Sequence, residues 1–229
     1  YERENWINNL EYAVKNYPNA QIILDHQNEI PEPLLKLAGN DYSAIDFVAK
    51  TIDPSIENDY EYPSNINGGK YPYYIQWDNR WGFENYAKGI IGYTGCGPTS
   101  AAMIISGLLK DDSITPDVIA KVSEENGFSN ANGTSWGLYP FLGQKYGLQV
   151  EQITPEYDYL KAHLDTGNPA LVSVGPGHFT SQGHVMVIVG TDFFGRLIIN
   201  DPNNRENSES RWKWDEFQPQ IKTIWTVKP

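Results

Sequence analysis

The sequence is poor in cysteine and in basic residues, and it has no long apolar run. Its 229 residues contain one cysteine, so no disulfide can form within the chain and the fold must depend on its core. The 17 lysines and arginines, against 29 acidic residues, give a net charge of −12, which repels the phosphates of nucleic acids. No apolar stretch approaches the roughly 20 residues that cross a bilayer. We therefore expect neither a nucleic-acid partner nor a transmembrane segment.

The rest of the composition is that of a folded protein. Hydrophobic residues make up 40% of the chain and aromatic residues 13%, whereas a disordered chain would be poor in both. Because one domain usually takes about 100 to 200 residues, the length predicts one compact domain with an appendage. The first residue is Tyr1 rather than Met, from which we expect that an upstream segment has been removed.

The first part of the chain predicts short helices. Apolar residues recur at spacings of three and four between Trp6 and Tyr17, which predicts one amphipathic helix ending near Pro18. Residues 34–38 and 44–49 predict two more. The apolar stripes of such helices must be buried against a partner surface. We expect them to pack on the rest of the chain, with a pro-segment that covers the cleft and a partner-binding module as the alternatives.

A linker is predicted between Asp53 and Lys70, where proline, serine, asparagine, glycine and acidic residues are concentrated. We place the domain boundary within it. This division predicts a helical N-terminal extension and linker over residues 1–65, and a second domain over residues 66–229.

In the second domain, helix signals come first and strand signals follow. One helix begins at Cys96, and its predicted buried face consists of Ala101, Ile104, Ile105, Leu108 and Leu109. Further helices are predicted over residues 116–125, 136–146 and 155–165, the first and last opening with a Thr-Pro pair. Strands are predicted over residues 170–174, 184–189, 196–200 and 223–227. Strands that follow helices in a block are typical of an α+β fold.

Cys96 lies where this helix begins, in the segment Gly95-Cys96-Gly97-Pro98. A thiol at a helix N-terminus feels the positive end of the helix dipole, which favours the thiolate. The flanking glycines let a substrate carbonyl approach the backbone closely, so that the Cys96 N–H can donate to an oxyanion. The pattern predicts a nucleophile, and the alternative is a buried structural cysteine.

A thiolate nucleophile needs a base, and the chain has four histidines. His26 and His163 lie in segments predicted to be on the surface, His178 lies in a glycine-rich loop, and His184 opens an apolar strand. His178, His184 and Asp201 together could also ligate zinc. No short His-x-x-x-His spacing supports that alternative.

The position of His184 can be tested by counting along a hairpin. If its strand and the following strand turn at residues 192–195, the position that faces His184 lies near Asp201 or one or two residues beyond it. Asp201 or Asn203 can then accept the imidazole N–H and orient the base, as in a catalytic triad. The alternative is a histidine that caps a strand, followed by an ordinary turn over residues 201–204.

Four segments, in this order, carry a resemblance to a known family: Gln76-Trp77-Asp78-Asn79-Arg80-Trp81-Gly82, Gly95-Cys96-Gly97-Pro98-Thr99-Ser100, Gly183-His184-Val185-Met186-Val187 and Asn200-Asp201-Pro202-Asn203. The chain resembles the stand-alone relatives of the bacteriocin-processing, double-glycine leader peptidases of the papain superfamily. The resemblance covers about residues 73–203. It implies a papain-like α+β fold in which the cysteine-bearing helix packs on a C-terminal antiparallel sheet.

The resemblance also implies roles for single residues. It places the nucleophile on Cys96, the base on His184, the orienting acid on Asp201 and the oxyanion-hole glutamine on Gln76. An amide N–H₂ suits the last role because it donates without titrating. Twenty positions separate Gln76 from Cys96, so the loop between them must fold back. Gly95 stands where the transporter-fused leader peptidases commonly have Asp, so we do not transfer their double-glycine specificity.

We therefore expect a cysteine peptidase that hydrolyses peptide bonds without a cofactor or metal. Its predicted partner is a peptide or protein substrate, associated with the cell envelope, and the stretch from Thr134 to Trp136 is a candidate lining of the cleft. The resemblance implies a bacterial protein that is secreted or at the cell surface. Two alternatives remain: a cell-wall amidase or acyltransferase with the same triad, and an inactive papain-like binding module.

Overall fold

The computed structural model describes residues 1–57 and 65–229, and it begins with short packed helices. These are α1 (Glu2–Ala13), α2 (Ala20–Asp25), α3 (Glu32–Asn40) and α4 (Ile45–Ala49), with a 3₁₀ turn at Tyr42–Ala44. Trp6 and Leu10 are buried at the spacing predicted for the first helix, but Tyr17 lies beyond its end and is 42% exposed. The helix ends about a turn earlier than predicted, and residues 14–16 form a turn before Pro18.

Seven more helices and a six-stranded antiparallel sheet follow in the described part of the chain. The helices are α5 (Ile91–Thr94), α6 (Cys96–Leu109), α7 (Pro116–Glu125), α8 (Leu138–Tyr146), α9 (Tyr157–Leu164), α10 (Arg205–Glu209) and α11 (Trp214–Phe217), with a 3₁₀ turn at Gln218–Gln220. The strands are β1 (Asn85–Tyr86), β2 (Gly89–Ile90), β3 (Ser129–Asn130), β4 (Gly133–Thr134), β5 (Gln149–Ile153), β6 (Ala170–Val174), β7 (His184–Thr191), β8 (Leu197–Asn200), β9 (Arg211–Trp212) and β10 (Ile221–Lys228). The sheet has the order β5-β10-β6-β7-β8-β9, and β1-β2 and β3-β4 form separate ribbons.

The central strands of this sheet are buried on both faces. Along β7, Val185 and Val187 belong to the same core cluster as the inner side chains of α6. Met186 and Ile188 point the other way, into a second cluster with Phe217. Because neither face meets water, these strands read as continuous apolar runs rather than as alternating ones. The prediction of an α+β fold, with the cysteine-bearing helix on an antiparallel sheet, is confirmed.

In the second domain, two helices begin later than predicted, and one residue predicted to be buried is exposed. Helix α9 begins at Tyr157 rather than at Pro155, because the Thr154 carbonyl accepts the Glu156 N–H in a tight turn (2.8 Å) and does not open the helix. Helix α8 begins at Leu138 rather than at residue 136. Leu109, predicted to be on the buried face of α6, is the last residue of that helix and is 41% exposed.

Strand β5 was not predicted from the sequence. It forms one edge of the sheet, and four of its five residues, Gln149 to Gln152, are exposed or half-buried. Only Ile153 is buried. A strand of this kind has little hydrophobic signal, because its pairing with β10 depends on backbone hydrogen bonds.

The N-terminal helices share their core with the rest of the protein. Leu35 and Phe47 are fully buried in the same cluster as Ala102 of α6. Part of the predicted linker, residues 58–64, lies outside the described residues. After it, the Asn67 amide donates to the Asn200 side chain (2.7 Å), at the end of β8. The division at residue 65 stays a prediction.

Among the helices in residues 1–57 and 65–229, none combines the length and the apolar character that crossing a membrane requires.

Candidate active site

Cys96 is the first residue of α6, and its surroundings fix how the chain enters that helix. Gly95 connects α5 to α6, and a β-carbon there would lie 2.7 Å from the Ile91 carbonyl oxygen, so a side chain does not fit. The Ser100 hydroxyl donates to the Val185 carbonyl of β7 (3.1 Å). This bond fixes the helix to the strand that carries His184. Cys96 itself is partly exposed.

His184 is the first residue of β7 and contacts two of the predicted site residues. The Nε2 atom of its ring lies 2.7 Å from Oδ1 of Asp201, and both side chains are almost fully buried. The Cys96 thiol lies close enough to this ring for each group to shift the pKa of the other. Because Nε2 is engaged by the carboxylate, Nδ1 is the ring nitrogen left for the sulfur. The structure therefore brings Cys96, His184 and Asp201 into one chain of contacts.

Asp201 is held by donors on both of its carboxylate oxygens. Besides His184, its Oδ1 accepts the Asn203 backbone N–H (2.9 Å), and its Oδ2 accepts the Asn207 side-chain amide (3.0 Å). The Asp201 N–H donates to the Ser208 hydroxyl (2.7 Å). Asn207 and Ser208 lie in α10, which sequence reasoning did not find. A carboxylate with this many donors has a fixed orientation.

The backbone of Asp201 has a further partner, the Tyr73 hydroxyl, which donates to its carbonyl (2.6 Å). Tyr73 is 1% exposed. It stands near the start of the segment that resembles the family, but nothing in its spacing points to this contact. This hydrogen bond connects the segment before Gln76 to the turn that carries Asp201.

The hairpin register falls within the range obtained by counting. Val187 pairs with Asn200, and the register shifts between Ile188 and Gly190. Three positions further along, the place that faces His184 is residue 203, so Asp201 reaches the ring diagonally from the turn after β8. The structure thus pairs the imidazole with Asp201 and gives Asn203 the role of a backbone donor to that carboxylate.

These contacts shift the pKa of both members of the Cys96–His184 pair. Burial raises the pKa of the Cys96 thiol, but the polar ring and positive charge of the nearby His184, with the Val185 N–H, outweigh burial and lower it. Burial also disfavours the charged form of His184, but the charge and hydrogen bond of Asp201, together with Cys96, raise its pKa from 6.5 to about 10. Between the two pKa values the pair exists as thiolate and imidazolium.

Gln76 is buried and connects the two halves of the site. Its backbone N–H donates to the Pro202 carbonyl (2.7 Å), in the turn after Asp201. Its side-chain Nε2 donates to the Gly92 carbonyl (3.2 Å), in the short helix that leads to Cys96. The loop between Gln76 and Gly92 therefore folds back, as the sequence predicted.

The Gly92 carbonyl also fixes which way the Gln76 amide points. A carbonyl oxygen can accept but not donate, so it selects the orientation with N–H₂ on its side. Oε1 of Gln76 has no hydrogen-bond partner among the described residues. The amide is therefore held through its nitrogen.

The tryptophans of the Gln76-to-Gly82 segment anchor the backbone around Gln76. The Trp77 indole donates to the Asn203 carbonyl (3.2 Å), and the Trp81 indole donates to the Ile75 carbonyl (2.8 Å). Both rings are buried. Trp77 and Trp81, which are part of the resemblance to the family, therefore support the backbone of the site and have no predicted chemical role in it.

The stretch from Thr134 to Trp136, which was predicted to line the cleft, lies beside Cys96 at its Thr134 end. A β-carbon on Gly97 would lie 2.9 Å from the Thr134 hydroxyl and 2.9 Å from the Tyr139 hydroxyl. Trp136 is 43% exposed and packs edge-on against Trp225 (5.3 Å between centroids). Thr134 is therefore next to the residue after Cys96, and a role of Trp136 in binding substrate stays a prediction.

The other histidines are engaged elsewhere. His178 is exposed and packs on Trp212 (4.8 Å between ring centroids), His163 bonds the Pro169 carbonyl, and His26 bonds Glu29. Within residues 1–57 and 65–229, no group of three or more His, Cys, Asp or Glu side chains is arranged to hold a metal ion. The zinc alternative has no ligand set there.

An open groove of about 600 Å³ lies at the opposite end of the β7–β8 hairpin. Tyr157, Arg196 and Trp214 are among its lining residues. None of the predicted site residues lines it, so it is separate from the Cys96 site.

Similar solved structures include peptidase domains, at low identity. The peptidase domain of Streptococcus ComA, a bi-functional ABC transporter involved in a quorum sensing pathway, is 21% identical over 59% of this chain and 92% of that chain, with a TM-score of 0.45. A Bacillus anthracis protein described as a C39-like peptidase is 16% identical over 73% and 96%, with a TM-score of 0.43.

The family comparison is more informative. No curated protein matches the sequence. The model of the Peptidase_C39 like family matches residues 69–227, which is more than half of the chain. The matched range includes Gln76, Cys96, His184 and Asp201. It confirms the resemblance and the class of enzyme that the sequence predicted. The chain belongs to the Peptidase_C39 like family, and it is a cysteine peptidase.

Proposed function

We propose that this peptidase cleaves peptide bonds with Cys96 as nucleophile, His184 as general base and acid, Asp201 as orienting group and Gln76 as oxyanion donor. The observation that carries the proposal is the position of the His184 ring, which bonds Asp201 (2.7 Å) and lies close enough to the Cys96 thiol to shift its pKa. A nucleophile, a base and an orienting group in contact are the arrangement that acyl transfer requires.

Acylation begins from the thiolate–imidazolium pair. The Cys96 sulfur attacks the scissile carbonyl carbon, and the carbonyl π electrons move to the oxygen to form a tetrahedral oxyanion. When the oxyanion collapses, the C–N bond breaks and the His184 Nδ1–H gives its proton to the leaving amine. Because the pKa of His184 is raised, the ring keeps that proton until the C–N bond breaks and the leaving amine accepts it. The products are a thioester on Cys96 and a free amine.

Deacylation uses the now neutral imidazole as a base. His184 Nδ1 takes a proton from a water molecule, whose oxygen attacks the thioester carbonyl. The second oxyanion collapses with breakage of the C–S bond, which returns the thiolate and releases the acid. Throughout, Asp201 holds the Nε2–H and stabilises the imidazolium whenever it forms.

The oxyanion is stabilised by the free N–H of the Gln76 amide and by the backbone N–H of Cys96. The bond from Gln76 to the Gly92 carbonyl fixes that amide before substrate binds, and a donor that needs no rearrangement stabilises charge most efficiently. The N-terminus of α6 adds the positive end of its dipole.

We propose a peptide or protein as substrate. Its association with the cell envelope, and secretion or surface exposure of this protein in a bacterium, rest on the resemblance alone and stay predictions. A cell-wall amidase or an acyltransferase would use the same side chains, so substrate assays must distinguish them.

Two experiments test the proposal. Iodoacetamide should alkylate Cys96 rapidly at pH 6, where an ordinary thiol is protonated, and labelling that rises only near the free-thiol pKa of about 8.5 would favour an inactive binding module. A library of internally quenched peptides and a set of peptidoglycan fragments should then be offered to the wild type and to Cys96→Ala. Cleavage of peptides by the wild type alone supports the proposal. Cleavage of the cell-wall amides alone refutes it in favour of an amidase.

A further inference from the structure

Helix α4 of the N-terminal extension inserts one aromatic side chain next to the catalytic site. Phe47 is fully buried. Its ring stacks on Phe83, with 4.2 Å between centroids and 14° between planes, and it lies 6.5 Å from the ring of Trp77. Phe83 and Trp77 both belong to the loop that begins at Gln76. The extension therefore contacts this loop from the side.

The edge of the Phe47 ring lies against two glycines. A β-carbon on Gly92 would lie 2.7 Å from Cζ of Phe47, and one on Gly82 would lie 2.7 Å from its Cε2. The two glycines are themselves bonded, since the Gly92 N–H donates to the Gly82 carbonyl (2.9 Å). With no side chain on either glycine, the ring is in direct contact with both backbones.

Gly92 is also the residue that holds the Gln76 amide, through the carbonyl that accepts Nε2 (3.2 Å). We propose that Phe47 is a positioning residue of the hydrolytic site, which acts through Gly92 on the amide of Gln76. The extension is then a permanent part of the site rather than a cover that is removed. This inference rests on the proposed role of Gln76 as oxyanion donor.

The effect of Phe47 should be confined to the oxyanion side of the site. A smaller side chain at position 47 leaves space behind Gly92, so the Gly92 carbonyl and the amide bonded to it can shift. A misplacement of about 1 Å can cost on the order of 100-fold in rate. The Cys96–His184 pair depends on other contacts, namely the bond of Ser100 to β7 and the carboxylate of Asp201. The reactivity of the thiolate should therefore be preserved.

The test compares Phe47→Leu, Gln76→Ala and the double variant, using the best-cleaved peptide of the quenched library. Phe47→Leu should lower kcat by about 10- to 100-fold, while alkylation of Cys96 by iodoacetamide at pH 6 stays within about 2-fold of wild type. The double variant should be no slower than Gln76→Ala alone, because both changes remove the same function. Ile23→Ala, a core change elsewhere in the extension, is the control that should leave kcat unchanged.

The outcomes separate this inference from the function on which it rests. Undiminished kcat in folded Phe47→Leu, or losses that multiply in the double variant, overturn the role of Phe47. Undiminished kcat in Gln76→Ala overturns the proposed oxyanion donor instead. If Phe47→Leu does not fold, Gly92→Ala replaces it, since its methyl group would push against the unchanged ring. That variant should lose kcat and keep its alkylation rate, and the opposite pattern contradicts the inference.

Discussion

Replacing Asp201 with asparagine should reduce the reactivity of Cys96, which the carboxylate does not touch. The substitution removes a negative charge and keeps an oxygen that can accept the His184 Nε2–H. The Asn207 amide, which now donates to the carboxylate, can turn over to accept from the new N–H₂ group. The geometry is therefore preserved, and the change in charge can be evaluated alone.

The magnitude follows from two opposed electrostatic effects. The His184–Asp201 contact of 2.7 Å joins two delocalised charges. At an effective dielectric constant of 20, charges about 4 Å apart interact by about 4 kcal/mol and charges about 8 Å apart by about 2 kcal/mol. The carboxylate attracts the imidazolium at the first distance and repels the thiolate, across the ring, at about the second. The net stabilisation of the ion pair is about 2 kcal/mol, or about 30-fold in its population.

The assay is alkylation of Cys96 by iodoacetamide between pH 5 and 9, followed by intact-protein mass spectrometry. Asp201→Asn should react about 10- to 30-fold more slowly than wild type at pH 6, and the difference should shrink as the pH approaches that of an ordinary free thiol. Asp192→Asn is the control, because this carboxylate also forms an ion pair, with Arg196, at the far end of the same hairpin. Equal rates for Asp201→Asn and wild type at pH 6 would refute the reasoning.

Three further predictions concern pH, stability and packing. Hydrolysis should fall as the pH rises through about 10, because His184 then loses the proton that the leaving amine needs; a kcat/KM profile that is flat to pH 11, in protein that circular dichroism shows to be folded, contradicts this. Tyr73→Phe removes the bond to the Asp201 carbonyl and should lower the free energy of unfolding by about 1 to 2 kcal/mol in urea titrations. Gly97→Ala places a methyl group 2.9 Å from the hydroxyls of Thr134 and Tyr139, so it should cost about 1 to 3 kcal/mol and slow alkylation of Cys96 at pH 6; an unchanged melting temperature would contradict this.

The chemistry of the site could be predicted because each role calls for a residue type that is rare in this sequence. A single cysteine at a helix start leaves one nucleophile, and His184 is the one histidine that opens an apolar strand. Counting along the hairpin then leads to the region of Asp201. It cannot choose between Asp201 and Asn203, because Asp201 reaches the ring diagonally from the turn after β8, and the path of that turn has no sequence signature.

The supporting contacts could not be predicted, because they join residues far apart in the chain. The ring of Phe47 meets Gly82 and Gly92 across about 40 residues, and no period relates them. Ser208 bonds the Asp201 backbone from a five-residue helix, which is too short to show periodicity. The polar edge strand β5 is missed for a similar reason, since its residues carry no apolar alternation.

The central claim is that the buried ring of His184 is an imidazolium paired with the Cys96 thiolate at neutral pH. Nitrogen-15 NMR of the histidine ring measures this directly, in wild type and in Cys96→Ser. We predict that His184 is protonated on both ring nitrogens at pH 7, titrates near pH 10, and titrates at lower pH when the sulfur is replaced. A neutral His184 ring at pH 7 in the wild type would contradict the account.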